Sequence, residues 1–158
     1  MKAKTIETFE EGYNAAIKRL SFKDFSKCEM ISYLKKRGLS DDIAQAVLNK
    51  LLELNYVNDE RLCNNICNYM KNEGIYSKRA LKFKLLKKGF AKNLVSEQLS
   101  AIEIDEYQNA GKIFYAYIKK QRCIDEKTKM KIIRHMASKG FSYNIIEQLL
   151  KENKDMLI

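Results

Sequence analysis

Apolar residues fall along this chain in short runs at helical spacing, and the runs recur. Tyr13, Ala16, Ile17 and Leu20 share one face of a helix predicted from Phe9 to Leu20. Met30 and Leu34 stand one turn apart in a second predicted helix, Lys27 to Arg37. Ile43, Ala44, Val47, Leu48 and Leu51 form the stripe of a third. Met30 and Leu34 return 51 residues later as Leu81 and Leu85, and after another 51 residues as Ile132 and Met136. The third stripe returns in the same register as Leu94, Val95, Leu99 and Ile102, and then as Ile145, Ile146, Leu149 and Leu150. The first helices, marked by Leu62, Ile66, Tyr69 and Met70 and by Ile113, Phe114, Tyr117 and Ile118, follow the period less strictly. The pattern predicts an all-α chain of three tandem three-helix repeats, at 1–55, 56–104 and 105–158, stacked into an elongated, curved body.

Polar residues punctuate this pattern where helix ends need them. Ser26 precedes the second helix with Glu29 at its third position, a capping-box arrangement. Ser40 precedes the third, with Asp41 and Asp42 in the first turn where the helix dipole favours acids. Asn55 is placed to end that helix, and Asn58 or Asp59 to cap the next. Gly74 breaks the fourth helix, Ser77 caps the fifth and Gly89 suits its left-handed C-terminal cap. The third repeat opens near Asp105, its second helix is predicted over Lys127 to Lys139, and Ser142 caps its last.

Composition narrows what such a chain does. Of 158 residues 46% are apolar, which excludes wholesale disorder; proline is absent and glycine numbers 6, so helices run uninterrupted and connections are short. No apolar run reaches the roughly 20 residues of a membrane span, and the opening MKAKTIETFEEG lacks the apolar core of a signal peptide. These features predict a cytosolic protein without a membrane partner. The cysteines Cys28, Cys63, Cys67 and Cys123 read as reduced, partly buried thiols, since only Cys63 and Cys67 stand at i, i+4 and no histidine lies near them. No phosphate-binding glycine loop, HExxH or GxSxG occurs. The one histidine, His135, lies among polar positions flanking Ile132, Ile133 and Met136, and Asp41-Asp42 and Asp125-Glu126 open helices. The expectation is a protein that is not an enzyme and carries no metal or cofactor.

Charge supplies the positive indication. The net charge is +10, and the excess of basic over acidic side chains is 2 over residues 1–55, 3 over 56–105 and 5 over 106–158. It concentrates in the second helix of each: Lys35, Lys36 and Arg37; Lys78, Arg79, Lys82, Lys84, Lys87 and Lys88; Lys129, Lys131, Arg134 and Lys139. No acid interrupts the stretch from Ser77 to Lys88 or that from Lys127 to Lys139, whereas a merely solvated face mixes signs. These thirteen cations are the candidate binding residues for an anionic polymer or an acidic protein groove. A helix–turn–helix reading would make recognition helices of the third elements, with Gln45 and Asn49, Asn93 and Gln98, or Tyr143 and Asn144 exposed, but three-helix packing yields the same pattern. The nine tyrosines and seven phenylalanines offer faces for unpaired bases, although those at helical spacing, such as Tyr13 and Phe114, read as core.

Several segments resemble the bacterial RecX family. They are the run from Ser26 to Lys36-Arg37-Gly38, LELNYVNDERL (Leu52 to Leu62), KLLKKGF (Lys84 to Phe90) and MASKGFSYNII (Met136 to Ile146). The most specific is Tyr56 to Arg61, a tyrosine, an aliphatic residue and then Asp-Glu-Arg. The chain departs from the family pattern at Leu62-Cys63 and at Gly74-Ile75-Tyr76. The resemblance implies three tandem three-helix repeats, in agreement with the 51-residue register. It also implies a regulator, read as an inhibitor, of the RecA recombinase that lies in the RecA–DNA filament, alters its ATPase and strand exchange in DNA repair, and binds DNA. The repeat register predicts a monomer, and the charge predicts binding to single- and double-stranded DNA without sequence preference. The alternative is a general basic DNA- or RNA-binding helical module with no RecA role.

Overall fold

A computed structural model describes residues 5–120 and 124–154. Among these residues there are nine helices and no strand: α1 (Phe9–Leu20), α2 (Lys27–Lys36), α3 (Asp41–Glu53), α4 (Asp59–Glu73), α5 (Lys78–Lys87), α6 (Lys92–Ala101), α7 (Glu106–Ile118), α8 (Glu126–Ser138) and α9 (Tyr143–Glu152). Local chemistry accounts for their ends. Thr8 and Glu11, and Ser26 and Glu29, form reciprocal capping boxes at the starts of α1 and α2. Ser40, Asp105, Asp125 and Ser142 cap α3, α7, α8 and α9 by accepting from the third backbone N–H of each. Asn58 Oδ1 accepts from the Arg61 N–H (2.9 Å), so Asn58 rather than Asp59 caps α4. Asn55 ends α3 as expected, with a left-handed φ of 58°.

Two boundaries differ from the periodicity. α2 stops at Lys36 and Arg37 becomes its C-cap. The cap of α8 is Asp125, three residues before Thr128, the position equivalent to Ser26 and Ser77, because Asp125 takes the Thr128 N–H and draws Glu126 to Thr128 into the helix.

The contacts divide the chain into two compact units, residues 1–65 with 85–96 and residues 66–84 with 97–158. In the first, α1, α2 and α3 pack around Ala16, Met30, Leu34, Ala44, Val47 and Leu51. In the second, α7, α8 and α9 pack around Phe114, Ile132, Met136, Ile146 and Leu149. These positions carry the periodic stripes, and their burial supplies the main favourable term of folding.

Each unit also contains one junction between successive repeats, built to a common plan. In the first, the buried Ser26 hydroxyl donates to the Lys88 carbonyl (2.6 Å) and accepts the Glu29 N–H (3.1 Å). The Lys27 N–H donates to Asp59 Oδ1 at 2.8 Å. In the second, the buried Ser77 hydroxyl donates to the Lys139 carbonyl (3.1 Å) and accepts the Ala80 N–H (3.0 Å), and the Lys78 N–H donates to Glu106 Oε1 (2.6 Å). In both, the accepting carbonyl precedes a glycine with positive φ, Gly89 at 80° and Gly140 at 88°. A Cβ on Gly89 would lie 2.4 Å from Cys28 Cβ, and one on Gly140 2.4 Å from Ser77 Oγ. Glycine is required twice over, for the left-handed backbone and for the close approach.

Candidate nucleic-acid interface

The junctions bring the N-terminal end of one basic helix to the C-terminal end of the next: α2 to α5 in the first unit, α5 to α8 in the second. In the first unit this gathers Lys36, Lys87 and Lys88 around a groove of about 330 Å³ that also includes Ser32, Tyr33 and Glu29. Lys88 is set apart from its neighbours. Its ammonium lies 2.9 and 3.0 Å from the two carboxylate oxygens of Glu29, and its side chain is only 24% exposed. Burial pushes the Glu29 carboxyl up, but the Ser26 backbone N–H and the Lys88 ammonium outweigh it and hold the group below its ordinary value. Lys88 is therefore tied into the junction, while Lys36 and Lys87 are exposed. Lys35 pairs with Asp41 at 2.9 Å in the open, where such a pair contributes little. Arg37 donates from Nη1 to Tyr33 Oη (2.9 Å).

In the second unit Arg79 and Lys82 are exposed on α5 beside Phe83, itself 68% exposed. The Lys84 ammonium lies 5.9 Å from the Tyr76 ring centroid, a cation–π contact, and Lys78 Nζ reaches the Leu99 carbonyl at 3.4 Å. On α8, Lys131 and Arg134 are exposed, and Lys129 pairs with Glu126 at 3.2 Å. Lys139 caps α8 with its side chain exposed. His135 is half-buried, with its ring 5.3 Å from that of Tyr117. Of the positions offered as recognition-helix contacts, Gln45 and Asn49 hydrogen-bond to each other (2.9 Å), while Asn93, Tyr143 and Asn144 are exposed. The periodicity passed over Lys18, Arg19 and Phe22, which stand where α1 turns toward α2; the only sequence signal was the cluster of charge and aromatics from Lys18 to Phe25.

Cys63 and Cys67 are buried, Cys28 is exposed, and Cys123 lies outside the described residues. Among the described residues no group of three or more His, Cys, Asp or Glu side chains is placed to hold a metal ion, and no helix is long and apolar enough to cross a membrane.

Fold and surface together define a helical-repeat protein whose second helices bury apolar residues and carry exposed cations. Two family models match it, the first three-helix domain of RecX over residues 13–51 and the third over residues 104–150. The regulatory protein RecX of Geobacillus sp. (strain WCH70) is 30% identical over 145 residues, covering 90% of this chain and 54% of that protein. That of Streptococcus pneumoniae (strain 70585) is 31% identical over 140 residues, covering 86% and 53%. The crystal structure of RecX from Lactobacillus salivarius superposes with a TM-score of 0.67 at 25% identity, covering 91% of this chain and 95% of that one. A second crystal structure of a regulatory protein RecX, at 17% identity, shares the fold with the same TM-score. The chain belongs to the RecX family. It spans about half the length of the curated relatives it matches.

Proposed function

We propose that this chain is a non-enzymatic, cytoplasmic regulator of the RecA recombinase in DNA repair. As a monomer without a cofactor, it sets its basic helices against the RecA–DNA filament and inhibits the filament's ATPase and strand exchange. Membership of a family of regulatory proteins supports the regulatory role. The observation that carries the polyanion contact is the recurrence of the serine-to-lysine-carbonyl junction, which brings exposed cations of successive repeats together at equal sequence spacing. A nucleic acid backbone presents phosphates at regular intervals, and cations that recur suit it better than an isolated patch does. The contact is electrostatic and independent of base sequence. If about 4 to 6 phosphates are neutralised, the logarithm of affinity falls against the logarithm of salt with a slope of about −3 to −5.

The test is RecA ATPase on single-stranded DNA with sub-stoichiometric protein, using the wild type and two charge reversals, Lys82→Glu with Lys87→Glu and Lys131→Glu with Arg134→Glu. Lys88 is left intact because a glutamate there would face Glu29. The expected outcome is inhibition by the wild type, weakened by both reversals while helicity is unchanged. Tight salt-sensitive DNA binding without any effect on RecA would instead identify a general nucleic-acid-binding module.

A further inference from the structure

The turn from α1 to α2 carries a feature that neither the cores nor the basic helices account for. Phe22 is 74% exposed at the edge of a groove of about 400 Å³ lined by Asn14, Lys18, Arg19, Tyr33 and Arg37. The described residues lining it include three cations and no carboxylate. The Arg19 guanidinium lies 5.7 Å from the Tyr33 ring centroid and 5.4 Å from that of Phe25, and the Arg37 guanidinium lies 5.8 Å from Tyr33. Helix-end electrostatics explain part of this, since Lys18 and Arg19 lie in the last turn of α1 and Arg37 caps α2. They do not explain an aromatic ring left in water at the edge of the same groove. Tyr33 packs against the first core, whereas Phe22 belongs to neither core.

An exposed ring beside clustered cations, in a concave site without acids, matches a ligand that is flat and aromatic at one end and anionic at the other. We infer that this groove holds one unpaired nucleotide of a nucleic-acid strand, its base stacked on Phe22 and its phosphate against Lys18, Arg19 and Arg37. A duplex offers the same phosphates but keeps its base faces stacked on one another, so the groove adds a preference for single strands. The inference rests on the reading that the chain binds nucleic acid, and assigns the strand selectivity to the turn between α1 and α2, apart from the cations of α5 and α8.

The chain contains no tryptophan, so Phe22→Trp introduces a single indole whose emission reports stacking. Titration with a thymidine oligonucleotide is expected to quench it, and a duplex with the same number of phosphates at the same salt to leave it nearly unchanged. Phe22→Leu is expected to weaken oligonucleotide binding about tenfold, from the usual worth of one base–aromatic stack, and duplex binding by less than about twofold. The thermal midpoint of that variant should not fall, since the ring is not part of a core. Equal quenching by both nucleic acids, or a single-strand to duplex affinity ratio unchanged in Phe22→Leu, overturns the inference while leaving the wider reading intact. That wider reading is probed separately by Lys82→Glu with Lys87→Glu, which should weaken both nucleic acids in parallel. Wild-type protein that binds neither overturns both.

Discussion

The two repeat junctions share a backbone plan, and only the first adds a side-chain ion pair. At each, a cap serine uses its oxygen to receive a helix N–H and its proton to reach a lysine carbonyl in the next repeat. At each, a carboxylate of the next repeat takes the first N–H of the basic helix. The first junction adds the Glu29–Lys88 ion pair. In the second the position equivalent to Glu29 is Ala80, which has no carboxylate to offer, and Lys139, the equivalent of Lys88, is exposed. The serine link and the glycine are thus the common joint, and the ion pair is an addition to one copy. The same lysine position serves packing in one junction and stays open to a partner in the other.

Breaking the joint at its glycine should have the largest effect. Gly89→Ala places a methyl group against Cys28 Cβ, which belongs to the helix wall and cannot rotate away, and forces a left-handed φ on a branched carbon. A loss of about 3 kcal/mol is expected in denaturant unfolding. Gly140→Ala should cost somewhat less, because the Ser77 hydroxyl it meets can turn aside, at the expense of its bond to the Lys139 carbonyl.

Removing the hydroxyl should have an intermediate and nearly equal effect at the two joints. Ser26→Ala and Ser77→Ala each delete a helix cap and leave a carbonyl without its donor, for about 1–3 kcal/mol apiece. A much smaller loss at Ser77 would mean that the second junction is held by something other than the shared link.

The ion pair should give the smallest effect, confined to the first junction and dependent on pH. The folded-state pKa of Glu29 lies below the ordinary 4.5, so its contribution is complete above that value and lost as the pH falls through the folded value. The stability difference between wild type and Glu29→Gln should therefore be constant near neutrality and close below about pH 4.5. Because glutamine keeps an oxygen for the Ser26 N–H, a difference that persists to lower pH would show that the stabilisation does not come from the Glu29 charge.

Much of this architecture was legible in the chain because it is encoded over three or four residues. Apolar residues one turn apart set the helix faces, and Ser26, Ser40, Ser77 and Ser142 marked helix starts because a cap bonds to an N–H three positions on. The 51-residue register followed from repetition of those local signals. The candidate surface was legible only as composition: the cations from Lys78 to Lys88 looked equivalent until packing set Lys88 against Glu29 and left Phe83 in water. The groove at Phe22 had no periodic signature, since it arises where two helices and a turn converge.

What the sequence determined by itself was where each helix begins, ends and turns its apolar face, because those choices are settled between near neighbours. What only the tertiary structure decided was the second valence of the cap serines. Their acceptor role is local, but their protons go to carbonyls 62 residues away, and no local pattern states which carbonyl that will be.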